Sequence, residues 1–334
     1  MWLMRCFLGI LIATQVSSSA AASPRKVELQ KNLERNKART GGKAQPIAWK
    51  PASKFADNAI TGPKEPKYFH EPGVAAAGHY DQRFFSGFVN DRERHESLRH
   101  LIRSWLQWSQ MQGVETWLAH GTLLGWWWNS RILPWDTDLD VQISEATLKY
   151  LAENFNMTKW SYDFDEENFH GTYLLDINPY WTNRRRGHSS NLIDGRWVDR
   201  NTGLFIDITG LSETHRAQRP GVISCKNNHR YNVKEIYPLR DVLFEGFKAY
   251  VPYAYDIVLV KEYRSKAFTL TEYEKHQWQP ALKSWVQKNS TQPYTQFTLK
   301  NGKTIKIKRE DPRGLEAVPQ PSFMENISRL VHYW

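Results

Sequence analysis

The stretch Leu133-Pro134-Trp135-Asp136-Thr137-Asp138-Leu139-Asp140-Val141-Gln142-Ile143 alternates with period two, which predicts a strand. In an extended chain Asp136, Asp138 and Asp140 project to one side, while Thr137, Leu139, Val141 and Ile143 project to the other. Carboxylates at that spacing raise one another's pKa unless a counter-charge sits among them, so the pattern asks for a cation. Oxygen ligands on a rigid strand suit Mg²⁺ or Mn²⁺, which also accept water and substrate phosphate. The competing explanation is an edge strand with screened, solvent-facing acids. The apolar residues that alternate with the acids argue against it by placing the strand inside.

A second apolar run, Gly203-Leu204-Phe205-Ile206-Asp207-Ile208-Thr209, carries one acid in its middle. A lone buried carboxylate is costly unless it is paired or coordinated. Asp207 therefore reads as a third metal ligand or as a general base, or else as half of an ion pair with an arginine such as Arg196. Perturbed carboxylates gather where chemistry is done, which favours the site. His120-Gly121-Thr122 falls between a short predicted strand at 116–120 and a helical Leu-Leu-Gly-Trp-Trp-Trp segment. A glycine and a hydroxyl at such a turn can present backbone N–H groups and a helix dipole to a phosphate. His120 is expected either to bond that phosphate or to be an ordinary buried histidine.

The elements that must hold these residues are a mixture of helices and strands without strict alternation, an α+β pattern. Leu98, Leu101, Ile102, Trp105 and Leu106 recur at helical spacing after Asn90 and Asp91, with Gly113 placed to stop the helix. Ser144 is placed to cap a helix whose face carries Leu148, Leu151, Ala152 and Phe155. Further strands are predicted at 173–177, at 204–209 and around Gly246 over 242–251, a helix over 253–263, and a terminal hairpin near 298–309.

The chain has 334 residues, 40% hydrophobic and 24% charged, which is globular composition with room for an enzyme core. Its net charge of +10 is concentrated. Residues 23–67 hold 11 Lys+Arg against 4 Asp+Glu, whereas residues 68–334 hold 33 against 31. A nucleic-acid binder would carry the excess on its folded face, so that function is set aside. Residues 1–22 have the charged start, short apolar run and small-residue end of a signal peptide, 23–67 read as a basic flexible stem, and 68–334 as the folded domain. The body is then expected in the secretory pathway, in the Golgi lumen or secreted, touching membrane only through an uncleaved leader. Cys6 and Cys225 are the two cysteines, so a chain that has lost its leader has no internal disulfide. Asn156, Asn289 and Asn326 begin N-x-S/T triplets compatible with glycosylation.

Glu115-Thr116-Trp117-Leu118-Ala119-His120-Gly121-Thr122-Leu123-Leu124-Gly125-Trp126-Trp127-Trp128-Asn129, followed by the Asp136 to Asp140 segment, resembles the LicD/fukutin family, most closely its fungal mannosylphosphate-transfer members. The likeness extends upstream through Lys67 to Gly73 and Gly78 to Phe85, and downstream through Asp194 to Asp199, Cys225 to His229 and Tyr237 to Arg240. It implies a nucleotidyltransferase-like mixed sheet flanked by helices, with a glycine turn at Gly121-Thr122, a two-acid strand motif and a third acid at Asp207. The wider fold usually has Ser in place of Thr122, and its spacing fits Asp136 better than Asp138, so which two of the three acids hold the metal stays open.

The resemblance also implies a metal-dependent phosphotransferase moving a sugar phosphate, with GDP-mannose as donor, onto a cell-wall or glycoprotein glycan. Asp138, Asp140 and Asp207 would act in catalysis, and Asp136 would join them on the metal. His120, Gly121, Thr122, Arg196 and Arg240 would hold the donor. Two rival functions share these motifs: a non-catalytic regulator that binds a transferase partner protein, and a D-x-D glycosyltransferase. Cys225 and His229 form half of a zinc spacing and are otherwise packing residues. Arg184-Arg185-Arg186 lies in a predicted loop and could bind acceptor or donor phosphates through bidentate contacts, but reads first as a solvated run.

Overall fold

The computed structural model describes residues 65–185, 190–213 and 217–288, with the backbone of two further strands at Tyr294–Thr298 and Thr304–Lys308. The leader and nearly all of the stem, together with Arg186, Asn289 and Asn326, lie outside the described residues. Helix α1 spans Asp91–Gln112. Asn90 accepts from the Glu93 N–H at 3.0 Å and Glu93 reaches back to the Asn90 N–H, a reciprocal cap. Gly113 ends the helix at φ 67°, a left-handed conformation that costs glycine little.

The central sheet has the order β1 (Trp117–Leu118), β2 (Leu139–Ser144), β6 (Phe205–Glu213), β5 (Gly195–Asp199), β4 (Phe169–Ile177), β3 (Thr158–Phe164). Two short strands, β7 (Val222–Ser224) and β8 (Arg230–Asn232), continue from β6. Only β2 and β6 run parallel, so the sheet is mixed. Helices α2 (His120–Asn129) and α3 (Glu145–Asn154) flank β2 in sequence, and Ser144 caps α3 by accepting from the Thr147 N–H at 3.0 Å.

One face of the sheet carries Leu139, Val141, Ile206, Ile208 and Trp197, which the register places side by side. Helix α1 packs there, with Trp105 and Trp108 against Trp197 and the Trp197 indole donating to Ser104 Oγ at 3.0 Å. Each such buried ring removes roughly 150–250 Å² from water, which makes this contact the anchor of the core. Helix α3 closes on the same face, near Gly210 through Leu148. The opposite face carries the polar residues described below.

After α4 (Val233–Ile236), a hairpin of β9 (Arg240–Phe244) and β10 (Phe247–Val251) leads into α5 (Tyr255–Tyr263). Then follows a small sheet of β11 (Glu272–Tyr273), β12 (His276–Gln279) and β13 (Ser284–Gln287). Its Trp278 and Trp285 form a satellite core with Leu133, against which Trp128 and Trp135 pack. The backbone strands β14 (Tyr294–Thr298) and β15 (Thr304–Lys308) pair antiparallel, where a terminal hairpin is expected. Among the described residues no helix is long and apolar enough to cross a membrane.

Candidate active site

The acid segment departs from its sequence reading. Strand β2 starts at Leu139, so Asp140 alone is in a strand, and Asp136 and Asp138 precede it. A turn in which the Asp136 N–H donates to Leu133 O at 2.9 Å bends the chain here. Pro134 has no N–H to give a ladder, and the neighbour β1 is two residues long, ending its pairing at Val141 and Gln142. The alternation was there, but no strand lies alongside to hold residues 133–138 extended.

The register of the sheet brings Asp140 directly beside Asp207 on the parallel strand β6, Asp207 beside Arg196 on β5, and Arg196 beside Asp176 on β4. Opposed residues share a face, so these four side chains form one row across the sheet. Arg196 donates through Nε to Asp207 Oδ1 at 2.9 Å and through Nη2 to Glu71 at 2.7 Å, with Phe205 and Phe69 against its plane. The ion pair weighed from the sequence is therefore present, and Asp207 also keeps 22% exposure into a cleft. Asp176 is fully buried and receives Arg83 at 2.6 Å and the Tyr68 hydroxyl at 2.9 Å. The segment 68–83 thus lies over this charged row, which explains why its motifs belong with the acid motifs.

Asp140 is fixed by its own backbone, whose N–H donates to Thr122 Oγ1 at 2.9 Å. Thr122 is buried in the first turn of α2 and ties that helix start to the acid strand. Gly121 makes a close approach: a Cβ there would lie 3.0 Å from Asp136 Oδ2. Gly121→Ala is therefore expected to push the Asp136 carboxylate away with little change in unfolding midpoint and, where these acids hold a divalent cation as proposed below, to weaken its binding several-fold. Titration of the purified protein with Mn²⁺ checks this, and unchanged affinity would refute it.

Burial first, and then the adjacent Asp138 carboxylate, push the Asp136 pKa up to about 8. Burial also raises Asp140 to about 7, opposed by His120 and aided by Asp207 and Asp138. Asp207 is raised by burial despite Arg196. His120, at φ 49°, starts α2 and bonds Glu262 at 2.8 Å; burial disfavours its cation, but the Glu262 pairing prevails and its pKa lies above the ordinary value. Glu262 also accepts from the Tyr231 hydroxyl at 2.6 Å, and these partners outweigh burial to hold its carboxyl below the usual range.

His229 lies tilted beside His120 with ring centres 4.3 Å apart and 47° between planes, and Cys225 Sγ lies 3.4 Å from its Nδ1. Cys225 itself is buried among apolar side chains, in keeping with packing. Sequence reasoning missed Glu262, Glu71 and Asp176. Glu262 follows the apolar Ile257-Val258-Leu259-Val260 run of α5 and Lys261, so nothing local set it apart from a solvated acid, whereas Asp176 becomes visible through strand register and Glu71 through its contact with Arg196.

A cleft of about 610 Å³ is lined by His120, Asp140, Asp207, His229, Lys261 and Glu262 among others. Asp138 is 41% exposed and lies 3.5 Å from His79. Arg240 is not brought to this cluster in the way Arg196 is: it is exposed on β9, donates to Tyr253 O at 2.8 Å and lies over the Tyr253 ring. Arg240→Ala is accordingly expected to change stability by about 0.5 kcal/mol or less, read from urea unfolding. Arg184 corrects the solvated-loop reading, since it is buried and donates to Asp194 at 2.7 Å; Arg185 is exposed. Among the described residues no three His, Cys, Asp or Glu side chains are drawn together as a ready coordination shell. In donor chemistry the acids nonetheless suit a hard divalent cation, because they offer only oxygens and crowd one another enough to hold protons near neutrality.

Acids near the starts of two parallel neighbours, with a helix N-terminus tied to one of them, give this mixed sheet flanked by helices a single acid cleft. Residues 113–254 match the LicD/FKTN/FKRP nucleotidyltransferase domain. It is 36% identical over 161 residues to Mannosyltransferase regulator 4 of Saccharomyces cerevisiae, which is 46% of this chain and 14% of that protein. It is 38% identical over 162 residues to Mannosyltransferase regulator 14 of the same organism, 46% of this chain and 17% of that protein. The matched segments thus span a small part of these relatives. Glu71, Arg83 and Glu262 lie outside residues 113–254, so parts of the site are built by flanking chain.

Proposed function

We propose that the acid cleft is a phosphotransferase site that moves a sugar phosphate, mannose phosphate from GDP-mannose, onto a hydroxyl of a cell-wall or glycoprotein glycan in the Golgi lumen. The observation that carries this reading is the register of Asp140 with Asp207 on parallel strands, with Asp136 against the first turn of α2. The relatives' names add mannosyl transfer as the setting.

In the proposed reaction the N–H groups at the start of α2, at Gly121 and Thr122, hold the pyrophosphate. A divalent cation, Mn²⁺ or Mg²⁺, on Asp136, Asp138 and Asp140 would neutralise charge on the phosphoryl oxygens. The glycan hydroxyl oxygen attacks the sugar-proximal phosphorus, and the bond from that phosphorus to the oxygen of GMP breaks. Asp207, with Oδ1 held by Arg196, takes the hydroxyl proton at Oδ2. Its raised pKa makes it a stronger base than an exposed carboxylate. His120 is oriented by Glu262 to meet the donor from the other side of the cleft.

The test is product analysis with purified protein, GDP-mannose, Mn²⁺ and mannan. GMP and mannosylphosphorylated mannan are the expected products. GDP would assign the site to a glycosyltransferase instead. The relatives are named regulators, which favours one further reading: no turnover alone, but stimulation of an added mannosyltransferase, would assign the chain to regulation.

A further inference from the structure

A second cavity, about 320 Å³, is lined by Asp136 and Gly121, close in sequence to Asp140 and His120 of the polar cleft. Gly121 and Asp136 form one end of it, and the rest is built largely of rings: Trp128, Trp135 and Trp285 with Tyr263 and Tyr273. Trp135 meets Tyr273 and Trp285 at 63° and 82°, edge to face, so these faces are not used up in parallel stacks. Two indole N–H groups behave differently here. That of Trp128 donates to Ala267 O at 3.2 Å, whereas that of Trp285, a residue 7% exposed, has no hydrogen-bond partner among the described residues. A buried donor without a partner carries a desolvation cost that a bound acceptor would relieve.

We infer that this aromatic cavity receives the nucleobase of the donor, stacked among Trp135 and Tyr273, with a ring carbonyl or ring nitrogen accepting from the Trp285 indole. One molecule has to satisfy both ends of the cavity: a flat, largely apolar ring system among the aromatic side chains and an anionic group at the start of α2 and the acids. A nucleoside diphosphate has that polarity along its length, and a pyranose does not. Stacking on aromatic side chains is tolerant of base identity, so the indole contact and Lys266 at the wall would supply the discrimination. Tyr263, Lys266, Leu270, Tyr273 and Trp285 all follow residue 254, so base recognition would lie in chain beyond the matched family domain. The inference rests on the proposed reaction for the diphosphate end alone.

Saturation-transfer NMR on the full protein in metal-free buffer tests it, with guanosine, cytidine, ribose 5-phosphate and methyl α-mannoside as probes. Base protons of the nucleosides should receive the strongest saturation, and ribose 5-phosphate none. Tyr273→Ala and Leu270→Glu, at side chains 50% and 45% exposed where the fold tolerates change, should each weaken nucleoside binding about 5-fold or more. Asp140→Asn should leave nucleoside binding unchanged, because the base end needs no acid. Saturation of methyl α-mannoside in place of nucleosides would make the cavity a glycan subsite and overturn the inference, as would nucleoside binding indifferent to both cavity variants. Nucleoside binding as expected without GMP release in the turnover assay would instead defeat the proposed reaction and leave the base site standing.

Discussion

Asp140→Asn is expected to abolish GMP release from GDP-mannose, by about 10³-fold or more, while making the metal-free protein more stable than the wild type. The loss follows from position. Asp140 lies beside Asp207 in the sheet register and is anchored by Thr122, so no neighbouring carboxylate is held in its place. The gain in stability follows from crowding. Asp136 at about 8 and Asp140 at about 7 both have folded pKa values above the ordinary 3.8, so the folded protein holds protons that the unfolded chain releases. Linkage then makes metal-free stability fall as pH rises from about 4 to about 8 and level off above that. Asparagine removes one charge from the cluster and keeps the shape. Its gain at pH 8 should be on the order of 1 kcal/mol or more, after allowance for solvent at the cleft. Thermal unfolding with EDTA at pH 5 and pH 8 checks this, with the difference between wild type and variant growing toward pH 8. Mn²⁺ should raise the wild type at pH 8 far more than the variant. A variant less stable than wild type at pH 8 without metal would show that the acids are not in conflict.

How much of this could be read from the sequence depended on whether the information was local. The cap at Asn90, the stop at Gly113 and the cap at Ser144 were legible because each is decided by residues within one helical turn. The acids were recognisable by type, and Asp207 by its apolar setting. Their arrangement was not, because a strand needs a neighbour and the neighbour of residues 136–138 is absent from β1. Strand β5 was missed for a related reason: Gly195-Arg196-Trp197-Val198-Asp199 does not alternate in hydrophobicity, since it is buried on both faces. Its Arg196 is neutralised by Asp207, the partner weighed from the sequence, and by Glu71, which only the fold brings near. The 15 tryptophans had several destinations, among them the α1 contact at Trp197 and the cavity of Trp128, Trp135 and Trp285. Composition alone could not divide them.

Away from the acid cleft lies a residue whose loss should cost the fold heavily. Asp194 has no exposure; its Oδ1 accepts from Arg184 at 2.7 Å and from Lys226 at 2.9 Å, and its Oδ2 from the Gly210 N–H at 2.8 Å. Lys226 is also buried and donates to the carbonyls of Tyr180 and Asn191 at 3.1 and 3.0 Å. One carboxylate thus serves two buried cations, and both satisfy further backbone acceptors. Asp194→Ala removes the only carboxylate that the described structure sets against Lys226 at contact distance, and is expected to destabilise by about 3–5 kcal/mol. Burial already pushes the Lys226 pKa down and Asp194 opposes this, so the variant's ammonium should shed its proton and recover part of the loss at alkaline pH. Asp194→Asn, which can still accept from Gly210, should cost less than alanine. Lys226→Met should cost less again, because the Arg184 pair survives and an unbranched apolar chain fills the same space. Urea unfolding with an unchanged denaturant slope reads all three, and a loss under 1 kcal/mol for Asp194→Ala would show that the two cations do not depend on it.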